Sequence, residues 1–239
     1  MHGPMYKTIF SLLVWPIWYL IFIPSIIFLF IPILIIPRRK FYIIVRPICW
    51  MWCFFAGQWL KKENNPPPID EQPYLYLFNH VSMFDQFMIG AYIGHYITAV
   101  GAKEIFHYPI FGQLIRLYGG VPIIRTHLKS ALKSLQCVEE AIRKGISFII
   151  APEGTRTLTG ELSPFKKGPF HLAKNTGITI VPIALIGGLE AKRKNDWRLK
   201  PGILTTRFGN PITEKEYGHL QVNEISDLVR EKIEDLIKA

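Results

Sequence analysis

Tyr74-Leu-Tyr-Leu-Phe-Asn-His-Val-Ser-Met-Phe-Asp85 is the stretch that decides the fold. Its first five residues, Tyr74 to Phe78, are aromatic or aliphatic without a break, as in a strand buried on both faces. Asn79 and His80 follow where that strand ends, and Asp85 to Tyr92 reads as a helix. His80 and Asp85 are five residues apart, so in one continuous helix they would point roughly 140° apart. They meet only if His80 sits on the turn and Asp85 opens the helix. In that arrangement a carboxylate fixes the tautomer of an imidazole and stabilises its charged form.

Downstream, strands and helices alternate. Tyr96 to Val100 reads as a strand, Pro109 to Tyr118 as a helix closed by Gly119, and Val121 to Ile124 as a strand. Leu128, Ala131, Leu132, Leu135, Val138 and Ile142 keep the three-and-four spacing of an amphipathic helix that ends at Gly145. Ile146 to Ile150, Ile178 to Ile186 and Ile203 to Phe208 read as strands. Helices are expected around Pro169 to Lys174 and over Glu224 to Ile237. This pattern predicts one α/β domain over 73–239, large enough for its own core. Pro182, inside a strand, predicts an edge or a bulge.

Upstream the chain changes character. Glu63 to Asp70 is a polar, proline-rich run, and residues 63–72 are taken as a linker. Of the 28 Lys and Arg residues, seven lie in residues 1–62, where there is no Asp or Glu; the remaining 177 residues hold 21 bases against 18 acids. The net charge of +10 therefore belongs mostly to a hydrophobic segment that also carries five of the six tryptophans. Apolar runs, flanking bases and interfacial aromatics describe a membrane element facing anionic lipid, not a nucleic-acid groove. The apolar content excludes disorder, and three cysteines exclude a disulfide framework.

Thr8 to Ile36 is uncharged, and Pro16, Pro24 and Pro32 are expected to kink it. After Pro37-Arg-Arg-Lys40 a second apolar stretch runs from Phe41 to Leu60. Basic residues stand at both outer ends and at the connection, so neither side is strongly non-cytoplasmic. The expectation is a two-helix motif over 1–62 embedded in the cytoplasmic leaflet; a hairpin crossing the bilayer is the alternative. Cys49 and Cys53 are read as buried thiols, as is Cys137, and no spacing suggests a metal site.

A second group of residues carries anion chemistry. Ala151-Pro-Glu-Gly-Thr-Arg156 follows a buried strand, where backbone N–H groups, a hydroxyl and a guanidinium can hold phosphate. Gly119 to Arg125 puts another Arg after a strand. Each of these alone also fits an ordinary turn with a surface cation.

Together, Asn79-His80-x4-Asp85, Gly119 to Arg125, Pro152-Glu-Gly-Thr-Arg156 and Val181-Pro-Ile183, in this order and at these separations, resemble the four blocks of the glycerolipid acyltransferases of the 1-acyl-sn-glycerol-3-phosphate acyltransferase type. Lys103-Glu104 with Pro109 and Gly112, and Phe165 to Gly168, also look familial. Pro122, Ile124, Ala151 and Thr157 depart from the usual pattern and bear on substrate preference. The resemblance implies a mixed β-sheet flanked by helices and an enzyme that needs no metal or bound cofactor. Its co-substrate would be acyl-CoA or acyl-carrier protein, and its lysophospholipid would come from a membrane whose cytoplasmic side the active site faces. It implies His80 as general base, oriented by Asp85, and an acceptor site drawn from Lys103, Arg125, Glu153, Gly154, Thr155 and Arg156. For Glu153 a structural role is an equal alternative. The same chemistry on glycerol 3-phosphate or another lysolipid, a thioester hydrolase, and a lipid-binding protein with a decayed site remain the competing readings.

Overall fold

A computed structural model describes residues 4–124 and 128–239. In chain order the elements are α1 (Pro4–Ile35), α2 (Tyr42–Phe55), β1 (Gln58–Glu63), β2 (Tyr74–Phe78), α3 (Asp85–Gly90), β3 (Ile97–Ala102), α4 (Phe111–Tyr118), β4 (Val121–Ile123), α5 (Leu128–Arg143), β5 (Ser147–Ile150), α6 (Gly168–Thr176), β6 (Thr179–Ile186), α7 (Gly188–Ala191), β7 (Gly202–Phe208), α8 (Glu214–Tyr217) and α9 (Val222–Lys238). The strands form one sheet in the order β1-β7-β6-β2-β5-β3-β4. β6, β2, β5, β3 and β4 are mutually parallel, β7 is antiparallel to β6, and β1 is parallel to β7. The sheet is mixed and flanked by helices, as the sequence led one to expect.

Strand alternation divides the core into two layers. Tyr74, Tyr76 and Phe78 of β2 point to one face with Val181, Ile183 and Leu185 of β6; that face packs on α1, α2 and α3. Leu75 and Leu77 point to the other, with Phe148, Ile150 and Ile180, against α5, α6 and α9. β2 is buried at every position, which is why it reads as an unbroken apolar run.

β6 lies inside the sheet, so Pro182 does not mark an edge. It marks a bulge. The β6–β7 register pairs Ile183 with Phe208, but three residues back Ile180 pairs with Ile212, leaving one extra residue on the β7 side. Pro182 has no N–H to donate there, and its carbonyl accepts from Gly209 N–H at 2.8 Å.

α1 runs from Pro4 to Ile35 with Pro16, Pro24 and Pro32 inside it. Two expectations about the N-terminal segment change. The second apolar stretch does not stay helical to Leu60, and residues 63–72 are not wholly linker. α2 stops at Phe55, and β1 spans the expected 62/63 boundary as the edge strand of the sheet. The pattern there has period two: Gln58 and Leu60 are buried while Trp59 and Lys61 are exposed. Gln58 Nε2 donates to the carbonyls of Ala56 and Lys200, and Arg207 pairs with Glu63 at 2.6 Å, which fixes both ends of β1 on β7. Cys49 and Cys53 are buried, whereas Cys137 is exposed on the outer side of α5.

α1 is long and apolar enough to cross a membrane. It nevertheless lies along the α/β domain. Near its start, Leu199 N–H donates to Ser11 Oγ at 2.7 Å, and Trp15 Nε1 donates to the Trp197 carbonyl at 2.9 Å. Just beyond its end, Arg39 donates to the Lys144 carbonyl at 2.9 Å. Its opposite face, including Leu12, Leu20 and Leu34, is exposed.

Candidate active site

The parallel strands β2, β5 and β3 end at one edge of the sheet, and the residues singled out in the sequence follow those ends: Asn79-His80 after β2, Ala151 to Arg156 after β5, Lys103 after β3. In open α/β sheets ligands bind outside this carboxyl edge.

His80 and Asp85 do meet. His80 Nδ1 lies 2.6 Å from Asp85 Oδ2. The same carboxylate accepts from the backbone N–H groups of Val81 (2.8 Å) and Ser82 (3.0 Å). An ionised carboxylate only accepts, so Nδ1 carries the proton of this hydrogen bond and Nε2 keeps its lone pair. Asp85 is buried at the first turn of α3, while a quarter of the His80 side chain is exposed. Burial pushes the Asp85 carboxyl above the ordinary carboxylate range; the hydrogen bond to His80 and the two backbone N–H groups oppose that push. A positive charge arising on His80 relieves the cost of the buried carboxylate.

The surroundings hold this pair rigidly. Asn79 Nδ2 donates to the Leu185 carbonyl (2.9 Å) and Leu185 N–H donates to Asn79 Oδ1 (2.7 Å), which extends the β2–β6 pairing one step past the strand. Thr157 N–H donates to the His80 carbonyl at 2.8 Å. Gly188 packs under the turn; a Cβ there would come within 2.8 Å of Val81 and 3.0 Å of Ser82. Ser82, whose hydroxyl donates to the Lys192 carbonyl at 3.2 Å, is a turn residue.

For Glu153, counted among the substrate-binding residues with a structural role as the equal alternative, the contacts are structural. It is buried, and its two oxygens accept from His80 N–H (2.8 Å) and Ser163 N–H (2.9 Å). It ties the β5 loop to the histidine. Gly154 has φ +73, the left-handed region that turns the loop back after Glu153. Thr155 is exposed and accepts from Lys194 Nζ at 2.9 Å. Arg156 is half-buried, with no hydrogen bond or ion pair among the described residues, beside Lys192. Burial, then the Arg156 charge, holds the Lys192 ammonium below its usual range. Lys103 is exposed two strands across from His80, about 10 Å at the usual strand spacing. Arg125 lies outside the described residues.

The sequence reading passed over Asn79 as a clamp, Gly188 as a close contact, and the basic run Lys192-Arg193-Lys194. The run was the one with a readable signal: three consecutive cations shortly after the fourth block. Among the described residues no group of His, Cys, Asp or Glu side chains is placed to hold a metal ion.

Comparison with known proteins agrees with this geometry. The model of the family described as Acyltransferase matches residues 60–186, from β1 to the end of β6. The 1-acyl-sn-glycerol-3-phosphate acyltransferase of Cocos nucifera is 38% identical over 156 residues, 65% of this chain and 51% of that protein. The chain spans about half the length of the first curated relatives it matches. The enzyme of the same name from Salmonella typhimurium is 31% identical over 179 residues, 72% of each chain. The crystal structure of the 1-acyl-sn-glycerophosphate (LPA) acyltransferase PlsC from Thermotoga maritima superposes with a TM-score of 0.84 over 96% of this chain and 95% of that one, at 22% identity, and so shares the fold. The matched stretch carries the His80–Asp85 pair, the loop that steadies it and the strands that present both, and this chain belongs to the Acyltransferase family.

Proposed function

We propose that this chain transfers an acyl group from an acyl thioester to the sn-2 hydroxyl of 1-acyl-glycerol-3-phosphate, giving phosphatidic acid. The observation that carries the reading is the 2.6 Å pair of His80 Nδ1 and a buried, backbone-held Asp85, which leaves Nε2 as a proton acceptor at the carboxyl edge of the sheet. The acceptor follows from the printed names of the relatives.

In this reading Nε2 takes the proton of the lysolipid hydroxyl as its oxygen attacks the thioester carbonyl. The tetrahedral intermediate then collapses, the C–S bond breaks, and the departing thiolate takes the proton from Nε2, which returns the imidazole to its neutral form. The lipid hydroxyl is the nucleophile, so no acyl-enzyme forms. General-base help of this kind is worth about 10²–10⁴ in rate. Arg156, which has no hydrogen bond or ion pair among the described residues, meets the acceptor phosphate with Thr155 and the 154–156 backbone.

The helical layer delivers the acceptor from the cytoplasmic leaflet without crossing the bilayer. This is supported by both ends of α1 being tied to the same α/β domain, at Ser11–Leu199 and at Arg39–Lys144. A spanning hairpin would carry Arg39 to the far side. Arg39→Cys should resist an impermeant thiol reagent added outside intact cells; labelling there would overturn the one-leaflet arrangement.

Labelled acyl-CoA offered with a panel of acceptors tests the activity. Product should form with 1-acyl-glycerol-3-phosphate in preference to glycerol 3-phosphate. Equal or better use of glycerol 3-phosphate, or hydrolysis without lipid product, contradicts the assignment.

A further inference from the structure

A cavity of about 720 Å³, open to solvent, lies outside the site above. Its walls include Leu158, Arg193, Lys194, Asp196, Trp197 and Arg198. Both walls are anchored to the catalytic turn. Leu158 follows Thr157, whose N–H bonds the His80 carbonyl, and Arg193 follows Lys192, whose carbonyl accepts from Ser82. Arg198 and Asp196 pair through parallel hydrogen bonds of 2.9 Å, so that one positive charge is neutralised and its plane is fixed. Arg193 and Lys194 are left in excess. Lys194 also reaches Thr155, and so stands between this cavity and the loop assigned to the acceptor phosphate. A smaller depression of about 190 Å³ shares Arg193, Asp196 and Arg198 and adds Lys7, Lys200 and Glu190.

Trp197 is the unusual wall. It is half exposed, and among the described residues its backbone carbonyl accepts from Trp15 Nε1. An exposed indole beside unneutralised guanidinium and ammonium groups suits a ligand with an aromatic face and several phosphates. Its volume lies in the range of small-molecule and cofactor sites. A carrier protein would bring a broad acidic surface and no aromatic base.

We propose that this cavity binds the 3′-phosphorylated adenine nucleotide of acyl-CoA, with the base against Trp197 and phosphates on Arg193 and Lys194, so that the pantetheine arm runs past Leu158 to His80. The assignment rests on the acyl-transfer reading above and makes the thioester donor a coenzyme A ester.

The test uses the full chain in nanodiscs and two variants, Trp197→Ala and Arg193→Ala, both at exposed side chains, with thermal melting to show that each is folded. Calorimetric titration with CoA and with adenosine 3′,5′-bisphosphate should show both binding, each about tenfold weaker in either variant. The same titrations on His80→Ala protein should give wild-type affinity, so the cavity is read independently of transfer. In the transfer assay, the KM for acyl-CoA should rise about tenfold in the variants while the KM for lysophosphatidate stays put, and the defect should vanish with S-acyl-N-acetylcysteamine, which has no nucleotide. Absence of bisphosphate binding, unchanged affinity in both variants, an equal defect with the truncated donor, or loss of binding to anionic phosphatidylglycerol vesicles in place of CoA would overturn the proposal. CoA binding that depends on Trp197, in a protein that transfers nothing to lysophosphatidate, would uphold the cavity and reject only the acceptor.

Discussion

The two helical layers that cover this sheet bury similar apolar stripes and present opposite outer faces. α9 turns Ile225, Val229 and Ile233 inward and Asp227, Glu231 and Lys232 outward. α1 turns Trp18, Ile26, Leu29 and Ile33 inward and still shows Leu12, Leu20 and Leu34 outward, at 61%, 74% and 73% exposure. Inward-facing residues report the sheet they pack on, and outward-facing residues report the solvent. For α9 the exposed residues suit water; for α1 they suit hydrocarbon, as the proposed membrane attachment requires. The chemistry belongs to neither layer. In the proposed reading it sits on the strand ends between them, where a nucleophile drawn from lipid would meet a donor drawn from water.

If chemistry and membrane attachment are divided in this way, each should fail without the other. The largest effect is expected from His80→Ala, which should lower transfer by at least about 10²–10⁴ while the protein stays with the membrane fraction. Release of that variant from membranes would merge the two regions. The next tests the layers against each other. Leu20→Glu on the exposed face of α1 puts a charge into the bilayer at a cost of about 3 kcal/mol and should shift protein out of membranes. Lys232→Glu on α9 should leave partitioning unchanged. Equal behaviour of the two would break the comparison.

Two histidines sharpen the same contrast on a smaller scale. His80 has a carboxylate partner and an open nitrogen; His95 is buried against Tyr74 and Tyr76, with the Tyr76 hydroxyl at 3.4 Å its one hydrogen-bond partner among the described residues. Burial holds the His95 imidazole down to about 4. A histidine kept neutral in the fold costs nothing above its unfolded value of about 6.5, and stability is lost as pH falls from there toward 4. At pH 5 the loss is about 2 kcal/mol by linkage. Melting curves between pH 7 and 5 should show His95→Gln less acid-sensitive than wild type; parallel losses would remove His95 from the account.

The parts of the fold that were legible are those whose neighbours resemble them. β2, β5 and β6 are buried on both faces and read as apolar runs, and α5 and α9 keep a clean helical spacing against water. β1 was hidden because Trp59 and Leu60 continue an apolar stretch whose helical part ends at Phe55; only pairing with β7 makes 58–63 a strand. At the site, spacing and block order identified His80 and Asp85, since a turn that opens a helix brings residues five apart together. The function of Glu153 could not be read in that way. A buried carboxylate that holds two backbone N–H groups and an exposed one that binds substrate have the same letter. Asn79 and Gly188 matter through contacts with Leu185 and Val81, more than a hundred residues away in sequence. The 192–200 loop became visible only when the fold laid it beside the Thr155 loop.

The central claim is that His80 and Asp85 act as one unit in acyl transfer, and a double-variant cycle tests it most directly. Transfer of labelled acyl groups to 1-acyl-glycerol-3-phosphate would be measured for wild type, His80→Ala, Asp85→Asn and the double variant in the same nanodiscs. If Asp85 works through the imidazole, each single variant is severely impaired and the double variant is no worse than His80→Ala. Full additivity of the two losses, or near-wild-type turnover in His80→Ala, would contradict it.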